Sequence, residues 1–316
     1  MLLSLQFVDF ICYNNCAKNK GCVKMKKISV IVLAFVLAVL FCACGGRVPS
    51  PETEQTTSAA TEGADSQPTI KLEDLIKTVR VTFPEGMTTR EIAEKLEENG
   101  VCSASDFMAL ATDKNYLASL NYKIFEGIET ENVAFYLEGF VFPDTYDFYM
   151  GEPAQKSLSR FLKNANKRIT DEHMKRAEEL GYTMTEILTL ASIIQEEASD
   201  PKEMPYVSSV LHNRLNSPSF GKLQCDVSIH YVNDNITDSP YLEGDTSVFA
   251  EYYNTYKCAG LPAGPICNPG LAAIEAALYP ADTDYFFFFT DADWNYYYNH
   301  DYYTHQKMYN EIVKSK

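Results

Sequence analysis

The chain is short of positive charge, of histidine and of tryptophan, and each shortage removes a class of function. Twenty-seven Lys and Arg stand against 43 Asp and Glu, a formal charge of −16 over 316 residues. Five of those lysines and a single aspartate fall within residues 1–43, so the remainder is more acidic still. Such a surface repels phosphate backbones, which argues against a nucleic-acid partner and leaves uncharged or zwitterionic polymers as tolerable ones. The five histidines form no cluster, and His300 and His305 accompany no nucleophilic Ser or Cys motif, so a triad hydrolase is unsupported. Of nine cysteines only Cys102, Cys225, Cys258 and Cys267 lie beyond residue 44, at spacings that fit no zinc site. Four cysteines allow three pairings, and free thiols stay equally open, although Cys258 and Cys267 flank a loop they could staple.

What is present begins with an export signal. Met25-Lys26-Lys27 precedes the apolar run 28–41, a charged region followed by a hydrophobic one, and residues 1–24 read as an upstream extension. Cys42-Ala43-Cys44-Gly45-Gly46 has the layout of a lipoprotein processing site with Cys44 as the lipidated residue, while Phe41 departs from the leucine usual there. The alternative is an uncleaved anchor, since a run of about 17 apolar and small residues is short for a span but long enough. Either way residues 25–44 attach the N-terminus to the cytoplasmic membrane and place the rest on its extracytoplasmic face. Residues 45–75 then read as a tether, because 47–67 carry almost no large apolar side chain and cannot bury enough surface to fold.

Beyond the tether the pattern predicts an α+β protein: a small subdomain over 76–134 and a larger, mixed α/β domain over 135–316. Residues 79–83 alternate as a strand, Ile92, Ala93 and Leu96 repeat at helical spacing, and Ser103 or Ser105 caps a second helix. In the larger part, helices are expected over 157–169, 171–180 and 205–215, and the aromatic run 285–290 reads as a central strand.

The segment 183–199, TMTEILTLASIIQEEAS, carries the sharpest chemical signal. Thr183 and Glu186 form a capping-box pattern, and Ile187, Leu190, Ala191, Ile193 and Ile194 make one apolar stripe. At about 100° per residue Glu197 falls on that stripe, whereas Gln195 and Glu196 point away from its centre. An apolar neighbourhood and the negative end of the helix dipole both disfavour a carboxylate, which makes Glu197 a proton donor near neutral pH unless it simply snorkels into solvent.

Four further motifs, LEGFVFPDTY at 137–146, LQCD at 223–226, YNTY at 253–256 and GLPAGPICNPG at 260–270, stand in order around that helix. Together they closely resemble the MltG/YceG family of endolytic murein transglycosylases, from about Val79 onward. Gln195 departs from a common Glu, Ala263 from a second Pro, and Tyr296 from a frequent His. The resemblance implies a YceG-like catalytic domain behind a LysM-like subdomain, with Glu197 as the catalytic acid and then base. It implies substrate contacts from Glu138, Gln224, Asp226, Asn254, Tyr256 and Asn268, and no metal or organic cofactor. Its implied partners are peptidoglycan glycan strands, with peptidoglycan synthases beside them, and it implies a role in ending strand elongation. The residues themselves leave alternatives. Gln224 and Asp226 share a face only if 223–227 is extended; Asp226 otherwise caps a helix from Val227, Asn254 closes a turn, and Glu138 beside Gly139 is either a second carboxylate or a surface turn. Trp294 and Tyr296 to Tyr298 offer rings for sugar stacking or simply pack. Two other functions stay open: a glycoside hydrolase pairing Glu197 with Asp226 or Glu138, and a non-catalytic, peptidoglycan-binding surface lipoprotein.

Overall fold

A computed structural model describes residues 77–314, which fall within one compact unit. The expectations for residues 1–75, Cys44 among them, lie outside the described residues.

Strand β1 (Thr78–Thr82) pairs antiparallel with β2 (Thr145–Tyr149), Thr78 opposite Tyr149 and Thr82 opposite Thr145, so one sheet joins residues on both sides of 134. Between the strands come α1 (Thr89–Glu98), α2 (Ala104–Ala111) and α3 (Lys114–Ser119). Thr88 and Glu91 close a capping box on α1, and Ser103 rather than Ser105 caps α2, accepting from the Asp106 N–H at 3.1 Å. Alternation in β2 sends Tyr146 and Phe148 inward, where they meet Phe83 and Phe161 of α4 (Ala154–Arg168). Phe83 and Phe161 pack edge to face at 5.0 Å, a favoured geometry for ring quadrupoles.

The chain continues through α5 (Asp171–Leu180), closed by Gly181 at a left-handed φ of 82°, to α6 (Met184–Glu197) and α7 (Met204–Asn216). Every residue of α6 from Ile187 to Ile194 is buried, because helix α10 (Leu271–Leu278) and α7 cover it on separate sides. A helix apolar all round belongs at the centre of a domain. Helix α8 (Val227–Tyr231), extended by a π turn over Val232–Ile236, and α9 (Ser247–Tyr253) wall one side.

The aromatic run at 285–290 is not a central strand. Its ordered part, β3 (Phe287–Thr290), pairs only with β4 (Tyr296–Asn299) in a two-stranded antiparallel hairpin. Aromatics at three of the four positions of each strand let side chains cover both faces instead of further strands: Phe289 stacks on Tyr297 at 5.0 Å and meets Tyr309 of α11 (Tyr302–Ile312) at 5.4 Å.

Candidate active site

The capping box predicted from Thr183 and Glu186 sets the phase of α6. Thr183 donates from its N–H and its hydroxyl to Glu186 Oε2 at 2.7 and 2.9 Å, and the Glu186 N–H returns a bond to Thr183 Oγ1 at 3.2 Å. The helix therefore reaches its last residue, Glu197, with that side chain half-buried while Glu196 is exposed. Tyr296 of β4 bridges the helix end: its hydroxyl donates to the Glu197 carbonyl at 3.2 Å and accepts from the Ser199 N–H at 3.3 Å.

Three side chains face the Glu197 carboxyl. Arg214, buried on α7, donates from Nε to the Phe286 carbonyl at 2.7 Å and from Nη1 to the Leu223 carbonyl at 2.5 Å, and its guanidinium lies over the rings of Phe220 and Phe287 at 5.3 and 5.6 Å. The buried Cys225 thiol, which donates to the Leu223 carbonyl at 3.7 Å, favours the ionised form of Glu197. Asp226 adds a negative charge. Loss of water, the largest cause, and then Asp226 push the Glu197 carboxyl up to about 7, against the pull of Arg214 and Cys225. Burial in turn lowers the proton affinity of Arg214.

Residues 223–227 are not extended. Gln224 sits at a left-handed φ of 57°, Asp226 is helical, and α8 starts at Val227. The turn arises because the Gln224 and Cys225 N–H groups donate to the Thr255 carbonyl at 3.1 Å and the Thr255 hydroxyl at 2.9 Å, so the segment pairs with the YNTY turn rather than with a strand. Asp226 occupies the helix N-cap without a side-chain capping bond. Its Oδ1 accepts from the Tyr256 hydroxyl at 2.6 Å instead, and Tyr256 holds its proton well above the usual phenol range through burial and Asp226. Asn254 closes the turn, its Oδ1 accepting from the Tyr256 N–H at 3.0 Å. Gln224 is exposed beside them.

Glu138 and Asn268 lie elsewhere, at 1 % and 0 % exposure, hydrogen-bonded within the core. Glu138 Oε1 accepts from the Thr89 N–H (2.8 Å), the Thr89 hydroxyl (2.9 Å) and Asn268 Nδ2 (2.9 Å), while the Tyr231 hydroxyl donates to Oε2 (3.0 Å). Asn268 also donates to the Met87 carbonyl and accepts from the Val141 N–H. This knot ties α1, α8 and the proline-glycine loop together, and burial pushes the Glu138 carboxyl up to about 7. Gly139 is required next to it: φ is +85°, and a Cβ would come within 2.5 Å of Pro265 Cγ.

The four cysteines among the described residues are free, so no disulfide joins Cys258 and Cys267 across the loop. Its outer half, 260–263, lines an open groove of about 1000 Å³ with Tyr182 and Tyr252. Its inner half is core, with the Ile266 N–H donating to Ser192 Oγ at 3.0 Å. A second cavity, of about 370 Å³, lies between α1 and α8 with Glu91, Glu196 and His230 in its wall. Although Glu196 is exposed as a whole, loss of water around its carboxyl in the cavity wall raises that group as well.

A half-buried acid thus ends α6 beside the LQCD and YNTY turns. The sequence profile of the YceG-like family matches residues 60–311. This chain belongs to the YceG-like family. It is 26 % identical over 241 residues to the endolytic murein transglycosylase of Bacillus subtilis, covering 75 % of this chain and 66 % of that protein. The endolytic murein transglycosylase of Streptococcus pneumoniae strain D39 is 25 % identical over 281 residues, 84 % of this chain and 50 % of that one. The chain therefore spans between half and two thirds of the length of these curated relatives. The crystal structure of a yceG-like protein from Listeria monocytogenes superposes with a TM-score of 0.60 at 26 % identity, over 73 % of this chain and 75 % of that one, and supports the mixed α/β fold.

Sequence reasoning about this YceG-like protein missed Arg214 and Cys225. The signal for Arg214 was present, since Val207, Val210, Leu211 and Arg214 recur at helical spacing and put a cation on an apolar stripe, as Glu197 puts an anion. Nothing in the local pattern distinguishes Cys225 from a core thiol.

Proposed function

We propose that this protein is an endolytic peptidoglycan lytic transglycosylase that cleaves the β-1,4 bond between N-acetylmuramic acid and N-acetylglucosamine. The observation that carries the reading is the Glu197 carboxyl, half-buried and held up to about 7, so that near neutral pH it exists in both protonation states. An acid of that strength at working pH gives a proton and takes one back with comparable ease. Glu197 donates its proton to the glycosidic oxygen as the bond to the muramyl C1 breaks, and the glucosamine leaves with a free hydroxyl. The muramyl C6 hydroxyl then attacks C1 of the oxocarbenium-like centre, its proton passes to the Glu197 carboxylate, and a 1,6-anhydro ring closes without uptake of water. Arg214 stabilises the carboxylate in the interval, and Asp226, oriented by Tyr256, lies beside the developing positive charge.

The coupling of Asp226 to Glu197 also favours a second reading, hydrolysis with Asp226 as the second carboxylate. Digestion of purified glycan strands in labelled water separates the two. Anhydro-muramyl ends without label support lysis, and reducing muramyl ends carrying label support hydrolysis. Glu197→Gln should lower the rate by about 10²-fold or more, and Glu196→Gln should leave most of it. A Glu197→Gln protein as active as the wild type would remove Glu197 from the role of acid, whereas a wild type that binds glycan strands without cleaving them would leave the non-catalytic, peptidoglycan-binding reading.

The finer parts of this reading are that residues 76–134 form a LysM-like subdomain, that Cys44 carries a lipid holding the protein on the extracytoplasmic face of the cell membrane, and that cleavage ends strand elongation beside peptidoglycan synthases. The β1–α1–α2 order within 78–111 supports the first, and the signal-like run at 25–44 supports the second.

A further inference from the structure

The chain contains one tryptophan, and the backbone adopts an unfavourable conformation to display it. Trp294, at the tip of the β3–β4 hairpin, has a left-handed φ of 63° and is 70 % exposed. A bulky L residue rarely occupies that region, and an exposed indole gives up hydrophobic stabilisation, so two unfavourable choices coincide at one residue.

The tip is rigid. Asp291 accepts from the N–H groups of Asp293 (2.9 Å) and Asn295 (3.0 Å), from the Asn295 side-chain amide on both oxygens (3.2 and 3.0 Å), and from the Tyr297 hydroxyl (3.0 Å). The Trp294 N–H donates to the Asp291 carbonyl, and the Asp291 N–H to the Asn295 carbonyl, both at 3.1 Å. Two residues further on, Tyr296 bonds the hairpin to the Glu197 carbonyl and the Ser199 N–H. Two residues of chain reach at most about 7 Å, so the tip that carries the indole is tied through Tyr296 to the end of α6.

The surroundings select among ligands. Residues 284–299 contain no Lys or Arg, and Asp291 and Asp293 flank the ring, a charge that repels an anionic lipid surface. A pyranose suits the place, since its C–H face lies flat on an indole while its rim hydroxyls meet amide and carboxylate groups. We propose that Trp294 is a stacking platform for a saccharide ring, a subsite next to the position where Glu197 acts on the strand. The inference rests on the glycan-cleaving reading above.

Because Trp294 is the sole tryptophan, its fluorescence reports on this position alone. The full chain carrying Glu197→Gln is titrated with chitohexaose and with peptide-free glycan strands, following emission and heat together. Saturable blue-shifted emission, with binding weakened about tenfold by Trp294→Ala and largely restored by Trp294→Tyr, is the expected result. Glycan binding by calorimetry with unmoved emission and no effect of Trp294→Ala overturns the platform. So does an emission shift on phosphatidylglycerol vesicles but not on glycan, or the absence of glycan binding altogether. The cleavage reading is judged separately, by anhydro ends from wild-type digests, so the platform can fail while that reading stands.

Discussion

Replacing Glu138 by glutamine should change how stability depends on pH, and the size of the change follows from the buried knot. In the folded protein the Glu138 carboxyl takes up its proton at about 7, against an ordinary value of 4.5. That gap corresponds to about 3 kcal/mol of preference for the neutral form. The sign follows from proton counting. Between pH 4.5 and about 7 the folded state keeps a proton that the unfolded state has released, so the contribution is complete below pH 4.5 and is lost as pH rises through 7. Glutamine keeps one carbonyl oxygen for Thr89 and Asn268, turns an amide toward the Tyr231 hydroxyl, and has no charge to desolvate. Wild type should therefore lose about 3 kcal/mol more than Glu138→Gln between pH 4.5 and 8. Glu197, also raised, titrates in both proteins and cancels in the difference, as do the depressed carboxyls of Asp144, Glu152 and Asp291. Urea unfolding at a series of pH values, extrapolated linearly, measures it. A difference between the two proteins that stays flat across that range refutes the reasoning.

Arg214→Gln removes the cation that holds the Glu197 carboxyl down, so the alkaline limb of the pH–rate profile should move to higher pH; an unmoved limb beside a lower rate would mean that Arg214 only braces the fold. Gly139→Ala forces a left-handed alanine against Pro265 and should cost about 3 kcal/mol in denaturant unfolding. Cys44→Ala should abolish incorporation of a fatty-acid probe, and equal labelling of variant and wild type would contradict lipid attachment there.

Local chemistry was legible wherever neighbours in sequence settle it. The Thr183–Glu186 capping box, the stripe that ends at Glu197, and the strand-helix-helix start depend on spacing and backbone hydrogen bonding within a few residues, and the structure has them. The sequence alone also carried the family, because motifs as long as the 260–270 loop do not arise from composition. Tertiary structure decided what each polar residue faces. Glu138 and Glu197 both lie in apolar runs, yet one is enclosed by donors from α1, α8 and the loop and the other opens beside Asp226. That difference comes from contacts 93 and 130 residues apart, such as Tyr231 and Asn268 on Glu138, which no local period encodes. The same holds for the aromatic run at 285–290. Its residues favour extended backbone, but whether it becomes a central strand or one arm of a hairpin depends on what covers its faces, and here Tyr297 and Tyr309 do so.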